Sequence, residues 1–245
     1  MAPNVIGFDT FVGNVASAAR AVTDRAYARA GGYAILGNAH VLVTAKHDAL
    51  VREAVDGAWQ VFPDGAPVAW MQRRAGVRDA ERIAGADLML AVVRHGTEYG
   101  LRHALFGSTS HVLERLEARL RFEEPQAVIC AAVAPPFASL DALAESVDEV
   151  TNARPDVVWV ALGAPKQELF MARYADRFDG AMVLGVGAAF DFLSGMKKRA
   201  PEWMQRAGLE WAHRFAAEPR RLARRYFTTN SEFLLRALLA SGRRP

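Results

Sequence analysis

The chain of 245 residues carries a single cysteine, Cys130. No disulfide can form within it, so packing alone must stabilise the fold, and a reducing, cytoplasmic compartment fits. Cys130 lies in the apolar run AVICAAV with no cation beside it in sequence, which reads as a buried, inert thiol rather than a nucleophile. Long apolar runs are also missing. Although 51% of residues are hydrophobic, no run approaches the roughly 18 apolar residues that a bilayer-spanning helix needs. The start, MAPNVIGFDTF, has no basic segment leading into an apolar core and does not read as a secretory signal. The six histidines show no His-Glu-x-x-His or comparable ligand spacing. Gly-x-Ser-x-Gly and the phosphate-loop Gly-Lys-Ser/Thr are absent as well. Asp-x-Asp, an acidic pair that can hold a divalent metal beside a nucleotide, does not occur. No metal site and no cofactor are expected.

What is present is divided. Residues 1–196 carry 18 Lys and Arg against 23 Asp and Glu, a net of −5; residues 197–245 carry 12 against 4, a net of +8. A mildly acidic body bears a strongly basic tail, and charge asymmetry of this size points to an anionic partner for the tail.

Apolar runs of strand length alternate with amphipathic segments of helix length. Strands are expected near 33–38, 59–62, 102–107, 127–133, 157–162 and 181–187, and helices near 10–30, 46–57, 87–99, 109–121, 140–153 and 166–177. Ser110 and Ser139 are expected as N-caps, with Gly100 ending a helix. Near-continuous apolar strands alternating with helices argue for an α/β, Rossmann-like fold: a largely parallel sheet covered by helices on both faces. From Pro201 the pattern is helical without further strands. A boundary near 195 separates an α/β domain (1–195) from a helical C-terminal appendage (196–245).

Several polar residues fall where strands should end, and open α/β sheets bind ligands at the carboxyl ends of their strands. Asp64, in PDGAPV, follows the run WQVF. A carboxylate there could take a proton from an attacking hydroxyl, or could simply cap the next helix. Asn38, in ILGNAH, could hold a sugar hydroxyl or a phosphate oxygen, or be a satisfied loop asparagine. Arg82, in RIAGADLM, could clamp a diphosphate or lie solvated at the surface, and Asp87 is explained by a first helical turn. In GAPKQE, Gly163 permits a tight turn, Pro165 suits the first helical position, and Lys166 and Gln167 could extend an anion site at that helix start; a plain connection is the alternative. GVGAAFDF (185–192) fails the dinucleotide fingerprint because Phe190 occupies the third glycine position, which disfavours a nicotinamide enzyme. Asp191 within it could be a ligand-binding carboxylate or a helix-start aspartate.

In the tail, Arg214, Arg220, Arg221, Arg224 and Arg225 interleave with Trp211, Phe215, Leu222, Tyr226 and Phe227. At 100° per residue Phe215, Leu222 and Tyr226 share one face, flanked by Arg214, Arg221 and Arg225. A basic, aromatic-rich amphipathic segment suits an anionic membrane surface, while packing on the body or a homo-oligomer contact would use the same apolar face. No nucleic-acid-binding module is recognisable.

Taken in order, ILGNAH, PDGAPV, RIAGADLM, PPF (135–137), GAPKQE, GVGAAFDF and the tail pattern Leu-Glu-Trp…Arg…Glu-Pro-x-Arg-Leu resemble the WecG/TagA/CpsF glycosyltransferases from about residue 33 onward. The resemblance implies an inverting, metal-independent transfer. A sugar would pass from a UDP-sugar (UDP-N-acetylmannosamine, its uronic acid, or UDP-glucose) to a polyprenyl-diphosphate-linked sugar, at the inner face of a bacterial membrane, for a surface polysaccharide or wall polymer. It implies Asp64 as the base, Asn38, Arg82, Gln167 and Lys166 around sugars and phosphates, and Asp191 on a uracil or ribose edge. From the appendage, Arg214, Arg221 and Arg224 would reach over the site toward diphosphate. The chain departs from the family's Thr-x-Asn at Leu36-Gly37-Asn38. That departure keeps a second reading open: a non-catalytic nucleotide-sugar-binding protein that docks on membranes.

Overall fold

The computed structural model describes residues 3–241, apart from the side chains at 221, 224–227 and 238–241. A small antiparallel hairpin of β1 (Asn4–Val5) and β2 (Phe8–Asp9) precedes α1 (Val15–Tyr27). The expected helix over 10–30 starts late because Asn14 and Ser17 form a reciprocal capping box at its entry.

Six strands then build one sheet: β3 (Tyr33–Gly37), β4 (Gln60–Pro63), β5 (Arg102–Gly107), β6 (Val128–Val133), β7 (Val157–Ala161) and β8 (Met182–Gly185). Their order is β4-β3-β8-β7-β5-β6, and every neighbouring pair is parallel. The crossovers carry α2 (Ala39–His47), α3 (Ala49–Asp56), α4 (Ala66–Arg74), α5 (Gly85–Gly96), α6 (Ser110–Glu123), α7 (Ala144–Asn152) and α8 (Lys166–Tyr174). Alternate strand residues feed two cores. Val158 and Val160 of β7 pack with Val41, Val51 and Phe170 on one face, while Val157 and Trp159 pack with Val22, Leu88 and Leu116 on the other. A sheet buried on both faces is what continuous apolar strands require.

Three local expectations differ from the structure. The helix expected over 46–57 is two helices, because Asp48 is extended and its carboxylate accepts from the backbone amides of Leu50 and Val51, starting α3 afresh. Thr109, not Ser110, caps α6, its hydroxyl accepting from the Val112 amide. Ser139 caps nothing; α7 begins after a short 3₁₀ turn, Asp141–Leu143, with Leu143 in the cap position. Gly100, left-handed at φ 62°, does end its segment.

After β8 the described residues form no further strand, only α9 (Ala189–Leu193), α10 (Glu202–Arg206), α11 (Glu210–Ala217), α12 (Pro219–Arg225), a π-helical turn (Tyr226–Asn230) and α13 (Ser231–Ser241). α13 returns to the body. Phe233 is fully buried in the core that α2 and α8 share, and Glu232 joins His47 of α2 at 2.7 Å and Arg236 at 2.6 Å. Among the described residues no helix is long and apolar enough to cross a membrane.

Candidate active site

All six parallel strands present their carboxyl ends along one edge, so residues far apart in sequence meet there. A polar cavity of about 290 Å³ opens at this edge, walled by the ends of β3, β4, β5, β7 and β8 and the starts of α5 and α8. Asn38, Asp64, Gln167 and Asp191 all line it.

Asp64 follows β4 directly, and the helix after it is capped not by its side chain but by Gly65, in a positive-φ conformation at 87°. The carboxylate is therefore left to the cleft. It is partly accessible from the cavity yet deep in the protein. Burial raises its pKa above the ordinary aspartate range and Glu210 adds to this, while Arg82, Arg214 and a hydrogen bond with Asn38 act in the opposite direction. A carboxylate made more basic without losing its cationic neighbours suits proton abstraction. Asn38 serves twice, since its side-chain oxygen also accepts from the Val41 amide and caps α2.

Gln167 is 6% exposed, at the start of α8. Its amide nitrogen donates to Glu168 at 3.0 Å, which turns its oxygen toward Gly187, and that buried oxygen has no hydrogen-bond partner in the protein. The close approach explains the glycine turn: a Cβ at Gly185 would stand 3.1 Å from the Gln167 amide nitrogen, and one at Gly187 would stand 3.3 Å from its oxygen. An unsatisfied buried acceptor facing a cavity calls for a ligand donor.

A second cavity, of about 650 Å³ and mostly apolar, lies between the strand ends and the appendage, with Pro67 on the body side and Trp211, Phe215 and Leu234 on the other. Asn38, Asp64 and Arg214 line both cavities and so form the wall between them. Arg214 lies over the Phe192 ring at 5.7 Å. Arg82 is in the apolar cavity rather than the polar one, ion-paired with Glu210 of α11 at 2.6 Å, both side chains mostly buried.

The structure does not bring Lys166 into the cavity lining. Its ammonium donates to the Ala138 carbonyl at 2.6 Å, over the ring of Phe137 in the PPF loop. The side chains of Arg221 and Arg224 lie outside the described residues. Leu36 is buried in the cavity wall, against Gly85. Among the described residues, no three His, Cys, Asp or Glu side chains are grouped so as to hold a metal ion.

Three lining residues with polar side chains were not singled out from sequence: Ser108, Lys197 and Arg199. Ser108 sits left-handed at φ 61° after β5. Lys197 and Arg199 belong to the basic run KKR between the glycine turn and the tail, which was the one available signal.

Residues 3–245 match the model of the glycosyl transferase WecG/TagA/CpsF family. The chain belongs to that family. It is 34% identical over 164 residues to the N-acetylglucosaminyldiphosphoundecaprenol N-acetyl-beta-D-mannosaminyltransferase of Bacillus subtilis (strain 168), a match covering 67% of this chain and 63% of that protein. With the Bacillus spizizenii protein of the same name it shares 29% identity over 194 residues, 79% of this chain and 74% of that one. This chain thus spans somewhat less than two thirds of the length of the Bacillus subtilis relative.

Proposed function

We propose that this family member is an inverting, metal-independent glycosyltransferase that moves a sugar from a UDP-sugar onto a polyprenyl-diphosphate-linked sugar in wall-polymer or surface-polysaccharide synthesis. The observation that carries the reading is Asp64 in the wall between a polar and an apolar cavity. The nucleotide-sugar occupies the polar side, and the lipid-linked acceptor lies along the apolar side. The acceptor hydroxyl attacks the anomeric carbon and passes its proton to Asp64. The bond from that carbon to the diphosphate oxygen breaks and UDP leaves. Asn38 orients Asp64, Gln167 and Asp191 hold the nucleotide half, and Arg82 and Arg214 face the acceptor side. UDP-N-acetylmannosamine is the preferred donor, because both Bacillus relatives are named for transfer of N-acetylmannosamine to an N-acetylglucosaminyl-diphosphate lipid.

Residues 1–195 act as the catalytic body and 196–245 as the appendage that docks the chain on the inner face of the cell membrane. Support for docking is the concentration there of exposed apolar side chains, among them Met196, Trp203, Trp211, Leu234 and Leu235, beside a net charge of +8 over 197–245. A binding-only role is favoured by one observation, the buried Leu36 where the family carries threonine.

The test is UDP release from a panel of UDP-sugars with a short-chain prenyl-diphosphate-N-acetylglucosamine acceptor, with and without EDTA. Acceptor-dependent release that survives EDTA is expected. UDP binding without release across the panel supports the binding-only role, and release abolished by EDTA refutes metal independence.

A further inference from the structure

The proposed reaction, on which this inference rests, leaves the bonding pair, and with it one more negative charge, on the departing diphosphate oxygen, so cations must face that group. The two expected from sequence within the body do not. Arg82 is in the apolar cavity against Glu210, and Lys166 is turned to Ala138. Among the described residues the cations lining the polar cavity are Lys197, Arg199 and Arg214.

Lys197 and Arg199 lie on an irregular linker between α9 and α10, where basic side chains would ordinarily extend into water. Instead, carboxylates hold both at the cavity, Arg199 largely covered and Lys197 at its open side. Arg199 forks onto Asp87, in the first turn of α5, with contacts of 2.5 and 2.6 Å. Lys197 is 2.9 Å from Asp191 of the glycine turn and 2.9 Å from Glu218, beyond the end of α11. These ion pairs leave donors over. An ammonium has three N–H groups, of which two serve Asp191 and Glu218, and a guanidinium has five, of which the fork uses two. Facing them, the start of α5 (Ala84, Gly85 and Ala86) lines the same cavity, with no side chain capping Ala84. The unpartnered, buried oxygen of Gln167, a residue only 6% exposed, is a further independent sign of a ligand in this cavity.

We infer that Lys197 and Arg199 bind the donor's diphosphate against the start of α5, with Asp87 and Asp191 as the positioning residues that aim them. The linker thereby does the work of the metal ion that other nucleotide-sugar sites use: it balances the charge that arrives on UDP as the glycosidic bond breaks. Arginine's planar fork and lysine's point charge divide that task, the first fixing geometry and the second supplying charge.

The experiment is calorimetric binding of UDP, uridine and inorganic pyrophosphate to the full chain, with thermal melting as the fold check. Arg199→Ala and Lys197→Met are each expected to weaken UDP on the order of 10- to 100-fold and to leave uridine unchanged. Arg199→Lys should fall between Arg199→Ala and the parent chain. Asp87→Asn takes away the carboxylate that aims Arg199 but keeps the guanidinium, so UDP should weaken, by less than in Arg199→Ala. Loss of uridine binding along with UDP in Arg199→Ala, with a lowered melting temperature, would mean that Arg199 acts only through the fold, and would overturn the inference. So would parental UDP affinity in Arg199→Ala and Lys197→Met. A parent chain that binds pyrophosphate but not UDP would refute the uridine donor and leave the clamp standing; one that binds neither refutes both.

Discussion

The polar cavity and the apolar cavity share a wall but are built on different terms. The first is made almost wholly by the body, from strand ends and helix starts fixed by the parallel sheet. The second exists only because α11 and α13 lie across those strand ends. The body is held by its own core, and the appendage is held to it by particular contacts: Arg82–Glu210, Arg199–Asp87, His47–Glu232 and the buried Phe233. The difference lets the proposed chemistry and the proposed docking be tested by separate substitutions.

The largest effect is expected on the shared wall. Asp64→Asn should reduce turnover by about 10² to 10⁴, the usual contribution of general-base help, while UDP still binds in calorimetry. Undiminished turnover removes Asp64 as base. Next, replacing Trp203 and Leu235 together by alanine and serine takes away two exposed apolar side chains. Partition into anionic vesicles should fall on the order of 10- to 100-fold in sedimentation, with turnover on a water-soluble short-chain acceptor unchanged. Unaltered partition would show that the appendage does not dock through this surface.

Glu210→Ala tests the seam itself. It leaves the mostly buried Arg82 without its partner, and should lower unfolding stability by about 1.5–3 kcal/mol in denaturant titration. A loss near zero would mean that water replaces the carboxylate freely. The smallest effect is one of sign. Because burial raises the Asp64 pKa, the folded state favours the protonated carboxyl, and this stabilising contribution is present at low pH and lost as pH rises through the raised pKa. Asp64→Asn should therefore melt higher than the parent chain at neutral pH, and the advantage should disappear below the ordinary aspartate range. The opposite order at neutral pH would show that Arg82, Arg214 and Asn38 outweigh burial.

Much of the body was legible, for a physical reason. Runs such as VVWVA and YAILG are apolar on both faces of the strand, and only a sheet covered on both sides accommodates them. Once the strands are parallel, their carboxyl ends must converge, so the meeting of Asn38, Asp64, Gln167 and Asp191 could be read from their positions after strands. What was not legible depended on single side chains choosing a partner. Asp48 capping α3 breaks one expected helix into two, and nothing in the apolar periodicity marks the break. α4, inside and after PDGAPV, was foreseen only as an alternative in which Asp64 caps it and was given no range, because its start looks like a turn, with Gly65 in positive φ. Lys166 leaves the cavity by turning to a carbonyl in the PPF loop, and Arg82 meets a glutamate 128 residues away. Lys197 and Arg199 lie in a stretch without periodicity, so only the folded chain reveals the carboxylates that aim them.

That two cavities share one wall, with a carboxylate in it, also bears on kinetics. In the proposed reaction the donor has one cavity and the acceptor the other, so neither needs the other to leave before it binds. There Asp64 takes a proton rather than a sugar, and the sugar passes across the wall once, between two substrates bound together. Initial-rate lines measured at several fixed acceptor concentrations should then intersect in a double-reciprocal plot. Parallel lines would mean that the sugar rests on the protein between two visits.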